Sequence, residues 1–178
     1  FLMNHGMLTI NDRPQWRTVA GGSARYVAKL TAPFQDRIRL RTPVEWIRRQ
    51  PGGVILKAVG QESVRYDAVF LACHSDQALQ LLADPTTAER EVLTAIPYQR
   101  NDAVLHSDAR LMPRRKLAWA CWNYHSLPQR EGPLALTYNM NILQGLDAEP
   151  PLLVTLNHSS AIDPAKILKR ITYHHPMY

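Results

Sequence analysis

Residues 42–82 read TPVEWIRRQPGGVILKAVGQESVRYDAVFLACHSDQALQLL, and this stretch decides the fold class. Val44 to Arg49 and Val54 to Val59 are rich in β-branched and large apolar side chains, and Gln50-Pro51-Gly52-Gly53 separates them. Proline presets φ at the start of a turn and glycine accepts positive φ, so the two runs are predicted to fold back as a hairpin. Ser63 to Tyr66 adds a strand in which Val64 and Tyr66 alternate with polar neighbours. Ala68 to Cys73 is apolar at every position, the pattern of a strand covered on both faces in a parallel α/β sheet. His74-Ser75-Asp76 then caps a helix carrying Ala78, Leu79, Leu81 and Leu82, which Asp84-Pro85 ends.

Outward from this stretch the texture differs on the two sides. Residues 1–20 have no sustained periodicity; Gly21-Gly22-Ser23 opens a short helix in which Tyr26, Val27 and Leu30 recur at helical spacing, Pro33 closes it, and Ile38 to Arg41 is a further short β run. On the other side Thr86-Thr87-Ala88-Glu89 has capping-box spacing and starts a helix that runs to Ile96-Pro97. From Asn101 onward come aromatic strands separated by Pro, Gly and Asn: Ala103 to Ser107, Leu117 to Tyr124, Leu134 to Asn141 and Leu152 to Asn157. They predict an antiparallel sheet. In the third of them Leu134, Leu136, Tyr138 and Met140 form the face expected to pack, and Ala135, Thr137, Asn139 and Asn141 the polar face. Asp163-Pro164 to Arg170 is expected to be a helix, followed by a solvated tail at His174-His175. The fold class is α+β, with an α/β part over 1–100 and an antiparallel sheet domain with flanking helices over 101–178.

A chain of 178 residues with 46% hydrophobic and 20% charged residues has enough material for a sizeable core, which excludes disorder, collagen and coiled coil. Lys and Arg number 21 against 15 Asp and Glu, a net charge of +6, but the cations are scattered rather than gathered on one stripe. Cys73 and Cys121 lie in apolar runs and are expected to be buried, reduced thiols. No run approaches the 18 apolar residues of a membrane span, and the N-terminal segment lacks the pattern of a signal peptide, so a cytoplasmic protein is expected. Asn157-His158-Ser159 is taken as an accidental sequon.

Familiar catalytic motifs are missing from the sequence: G-x-G-x-x-G, the P-loop, H-E-x-x-H, C-x-x-C and G-x-S-x-G. His74-Ser75-Asp76 holds the residue types of a hydrolase triad, but neighbours at a helix start cannot line up as nucleophile, base and orienter. Adjacent His174 and His175 point apart, and no metal site is expected. The run Arg110 to Lys116, RLMPRRK, supports an alternative reading, a basic binding module for RNA or anionic ligands using Arg110, Arg114, Arg115 and Lys116. A plain structural or interaction domain is a third. Trp122 and Tyr124 share one strand face and Trp119 the other, so one of the two could line an apolar ligand cavity.

The segments WRTVAGGSARYVAKL, RIRLRTPVEWIRR, YDAVFLACHSDQALQLL, LTAIPYQRNDAVLHSD, LMPRRKLAWACWNYH and LTYNMNILQGLD resemble the flavin-containing amine oxidase or phytoene desaturase superfamily, and most of all its bacterial branch of NAD/FAD-binding proteins. The resemblance runs essentially end to end. It implies an FAD-dependent oxidoreductase that transfers a hydride from an amine, or from an apolar lipid or isoprenoid substrate, to flavin. Residues 1–100 would be part of the FAD-binding domain, and 101–178 the substrate domain. Val44 would meet the adenine through its backbone, Ala72, Cys73 and His74 would lie on the adenosine side, and the Val44 and Ala72–His74 segments would be adjacent in one sheet. Trp119, Trp122, Tyr124, Tyr138, Asn139 and Asn141 would line the substrate site. No catalytic base stands out. Superfamily members carry a glycine-rich βαβ turn for the FAD pyrophosphate, which this sequence lacks, so an internal fragment is expected, inactive alone and weak in FAD binding. A small-molecule substrate rather than nucleic acid is expected as partner, and self-association through Val69, Phe70 and Leu71.

Overall fold

The computed structural model of the chain describes residues 11, 15, 17–128 and 132–177. Turn chemistry builds the first sheet. Gly52, at φ 70°, takes the left-handed conformation that closes the hairpin of β1 (Val44–Gln50) and β2 (Gly53–Ala58). A Cβ at Gly53 would lie 2.6 Å from the Tyr66 carbonyl oxygen, so only glycine lets β3 (Val64–Tyr66) approach here. The antiparallel order is β1-β2-β3.

Among the described residues, three α-helices belong to this half. The predicted α1 (Ala24–Thr31) forms, with its apolar residues Tyr26, Val27 and Leu30 exposed. Buried Ala78 seats α2 (Ser75–Leu81), and the Ala83 N–H beyond it donates to the Ile47 carbonyl on β1 at 2.8 Å. At the start of α3 (Thr87–Thr94) the predicted capping box is formed, with Glu89 N–H donating to Thr86 Oγ1 and Thr86 N–H to Glu89 Oε2. Arg49 on β1 reaches Asp84 Oδ2 at 3.3 Å and Glu89 Oε1 at 2.8 Å, which ties the hairpin to both helices.

The run Ala68–Cys73 is not a strand, contrary to expectation, and Phe70 is 96% exposed. A strand needs a neighbour for its N–H and C=O groups, and no described strand lies beside this run. The expected shared sheet of Val44 with Ala72–His74 therefore does not form among the described residues, and Cys73 is exposed rather than buried. Cys121 is half-buried, and both thiols are free. Ile38–Arg41 is a turn rather than a strand, with Arg41 at φ 54°.

The second sheet is five-stranded and antiparallel, in the order β5-β6-β7-β4-β8. Its members are β4 (Tyr98–His106), β5 (Trp122–Tyr124), β6 (Leu136–Asn139), β7 (Leu153–Leu156) and β8 (Ile167–Pro176). A short α4 (Met140–Gln144) follows β6 and ends at Gly145, φ 64°. The helix expected over 163–170 is replaced by a 3-10 turn, Pro164–Lys166, and β8. Asp163 caps only that turn, and the open edge of β4 then takes up the chain from His106↔Ile167 to Tyr98↔Pro176, so His174 and His175 are strand residues and not a tail. Long-range pairing outweighs local helix propensity here.

The register puts Asn123, Thr137, Thr155 and Val104 side by side on one face. The segments following β4 and β7 cover this face, with Leu111 and Ile162 packing on Val104. The polar face is thus the buried one, reversing the expectation: Thr137 is 0% exposed whereas Leu134 is 56% exposed. Burial of these polar side chains costs little because each finds a hydrogen-bond partner.

Candidate functional site

Chemistry-bearing residues gather in three places. The first is at the start of β1, where Val44 lines a hollow of about 470 Å³ together with Leu56, Ala58, Tyr66, Arg37 and Arg39. The hairpin supplies the apolar side chains Val44, Leu56 and Ala58, and the segment after α1 supplies Asp36, Arg37 and Arg39. Ala72, Cys73 and His74 do not line this hollow. His74 begins α2 with its N–H donating to Gln77 Oε1 at 3.4 Å, and its ring stacks on Tyr98 with centroids 4.6 Å apart. The Tyr98 hydroxyl also receives the Ser75 N–H at 2.7 Å, so this cluster is a joint between α2 and the second sheet.

The second place is the outer face of that sheet. Trp122 lies opposite Tyr138, and Tyr124 opposite Leu136, which in turn lies opposite Leu156. The Trp122 and Tyr138 rings meet edge to face at 6.2 Å. Trp122 is 50% and Tyr124 66% exposed, leaving an aromatic, aliphatic surface without a carboxylate on β5, β6 or β7. The other three expected lining residues lie elsewhere. Trp119 is off the strands, its indole N–H donating to the Pro113 carbonyl at 2.8 Å. Asn139 is buried on the inner face and caps α4 through Ile142 N–H, and Asn141 bridges Ala148 O and Leu152 N.

The third place was not singled out from the sequence. Four side chains hydrogen-bond in a row across the inner face: His106 Nε2 to Thr155 Oγ1, Thr155 to Thr137, and Thr137 to His125 Nε2, each 2.7 Å. His106 is anchored at the other ring nitrogen, since Nδ1 accepts the Asp108 N–H at 3.0 Å. Burial lowers the His106 pKa against the opposing pull of Asp108, and burial with the neighbouring His158 lowers that of His125. Asp108 is fully buried; it accepts from Arg110 Nε at 2.9 Å and from the Asp163 N–H at 2.9 Å, and the Arg110 bonds hold its carboxyl well below the usual carboxylate range. Beside the His125 end is an open cleft of about 510 Å³ that Arg110, Met112, Arg114, Tyr124, His125 and His158 help to line. The legible signal for this row was polar residues at alternate positions of apolar strands, which reads equally well as a solvated face.

Among the described residues, no group of His, Cys, Asp and Glu could hold a metal ion, and no helix is long and apolar enough to cross a membrane. The family model for flavin containing amine oxidoreductases matches residues 2–108. The fold is similar to that of a CLA-producing fatty acid isomerase from P. acnes, with a TM-score of 0.56 and 18% identity over 85% of this chain and 39% of that one. The chain thus spans well under half the length of that solved structure. No curated protein matches it.

Proposed function

Because the chain belongs to the flavin-containing amine oxidoreductase family, we propose that it forms part of an FAD-dependent oxidoreductase in which the outer face of the second sheet roofs an apolar substrate. When bound, FAD supplies the two-electron acceptor for a hydride. The hollow at Val44 suits the adenine end: Val44, Leu56, Ala58 and Tyr66 offer an apolar wall to a flat ring, and Arg37 and Arg39 outnumber Asp36 there and offer a net positive charge to the phosphates. Ala72, Cys73 and His74 are assigned to the adenosine side on the resemblance alone.

One observation carries the substrate reading: Trp122, Tyr124 and Tyr138, with Leu136 and Leu156, form an aromatic surface that has no acidic group to pair with an ammonium. A hydrocarbon chain loses water there at about 25 cal/mol per Å² of apolar surface buried, whereas a protonated amine finds no counter-ion. An isoprenoid or fatty chain is therefore favoured over an amine. Trp119, Asn139 and Asn141 act through the segments they brace, at Pro113, at the start of α4 and at Leu152.

The test is anaerobic flavin reduction by the intact protein, with unsaturated hydrocarbon chains and alkylamines compared as substrates. Reduction by the former, with Trp122→Ala raising the half-saturating concentration several-fold, is expected. Reduction by amines alone would overturn the reading. In the same proposal the 178-residue chain alone is inactive and binds FAD weakly. A Kd at or below about 1 μM, worth roughly 8 kcal/mol, would refute that part.

A further inference from the structure

The row His106–Thr155–Thr137–His125 has a direction that the structure fixes. A backbone N–H can only donate, so the bond from Asp108 N–H leaves His106 Nδ1 as the acceptor and puts the proton of the neutral ring on Nε2. That N–H donates to Thr155 Oγ1. If Thr155 next donates to Thr137, and Thr137 to His125 Nε2, every hydroxyl hydrogen in the row has an acceptor. The reverse sense leaves the Thr155 hydroxyl hydrogen without one among the described residues, a buried donor unmet at the cost of its full desolvation. His125 is thereby held neutral with its proton on Nδ1, the ring nitrogen with no hydrogen-bond partner among the described residues.

The cleft beside that ring has a matching charge. Arg110 is engaged by Asp108 and has Asp163 Oδ2 at 4.0 Å, so its charge is already answered. Arg114 lines the cleft with no carboxylate partner among the described residues. One free guanidinium and one neutral N–H donor suit a planar ligand with a single negative charge; a phosphate dianion would bring a second charge toward Asp108 and Asp163. Met112 and Tyr124 border the same space and can cover a short apolar substituent.

We propose that this cleft is a binding site for a small monocarboxylate, with Arg114 supplying the charge and His125 Nδ1–H the oriented donor, set by the threonine row behind it. The site shares only Tyr124 with the Trp122 face and needs no flavin. His125 is a binding residue; Thr137, Thr155 and His106 are positioning residues that act through it.

The experiment is titration of the ¹⁵N-labelled full chain with sodium acetate, and separately with sodium phosphate, at constant ionic strength. Long-range ¹H–¹⁵N spectra of the histidine side chains report the tautomer. Expected are an Nδ1–H tautomer at His125 before ligand is added, a saturable His125 shift with acetate, and weaker binding of phosphate. Arg114→Ala, in an exposed loop, should weaken acetate about tenfold, the loss of one charge-assisted contact. Thr137→Val, of similar shape, should free the His125 tautomer and weaken acetate severalfold while Arg114 is intact. An Nε2–H tautomer at His125, a shift that does not saturate, unchanged acetate binding in Arg114→Ala, or phosphate binding as tight as acetate would each overturn the proposal.

Discussion

Replacing Asp108 by Asn removes one charge from the centre of the second half and leaves the shape unchanged. Its carboxylate accepts from the Arg110 side chain, from the Asp163 N–H at 2.9 Å and from the Arg110 N–H at 3.3 Å, and Lys166 Nζ lies 3.5 Å away. The asparagine amide has one acceptor oxygen, so its NH₂ must face the guanidinium and one backbone donor, the Arg110 N–H in the Oδ1 position or the Asp163 N–H in the Oδ2 position. Arg110 is exposed enough to turn to water, and it contributes little to the cost. The remaining penalty is a backbone N–H that loses a charged acceptor inside the protein, about 2–3 kcal/mol. At this chain length that is a fall in Tm of about 4–12 °C. The effect also depends on pH with a defined sign. The Asp108 pKa is depressed in the folded state, so its stabilisation is complete above the ordinary carboxylate range near 4 and is lost as pH falls toward the depressed value. Urea unfolding of the wild-type chain and Asp108→Asn, followed by tryptophan fluorescence at pH 7 and again at pH 3, measures both. A difference below about 0.5 kcal/mol at pH 7, or one that does not narrow on acidification, would refute the reasoning.

Val104→Ala, at a site with no exposed surface beneath Leu111 and Ile162, should cost about 2 kcal/mol in urea unfolding, from two methyl groups and the cavity they leave. Trp122→Ala should change stability by less than about 1 kcal/mol, because the side chain is half exposed, and this separates its binding role from a structural one. Acidification from pH 7 to 5 should destabilise the fold through His106 and His125, whose folded pKa values are lowered: the unfolded chain takes up protons below about 6.5 that these folded rings resist. His106→Gln should flatten that pH dependence in thermal melts. Glu89, held down to about 2 by Arg49 and the Thr86 cap, should keep its charge to pH 3 in an NMR titration and return toward 4.5 in Arg49→Ala.

The hairpin and the helices of the first half were legible because their signals are local. Pro51-Gly52-Gly53 dictates a turn whatever surrounds it, Thr86 and Glu89 close a capping box within one helical turn, and Asp84-Pro85 ends α2, so hairpin and helices follow from near neighbours. The residue types of the outer face, Trp122, Tyr124 and Tyr138, were legible too, and the family resemblance read from the sequence agrees with the match over residues 2–108. Tertiary structure decided what depends on a partner. Ala68–Cys73 has the composition of a buried strand but no described strand beside it, and it stays exposed; Ile167–Pro176 starts beyond a helix-like Asp-Pro signal but meets the open edge of β4 and becomes a strand. The same holds for the threonines. Alternation in Leu134–Asn141 tells which residues share a face but not which face is covered, because a hydroxyl is costly to bury alone and cheap to bury once bonded. Whether Thr137 is bonded depends on Thr155 and His125, residues 18 and 12 positions away, and only the folded sheet brings them within 2.7 Å.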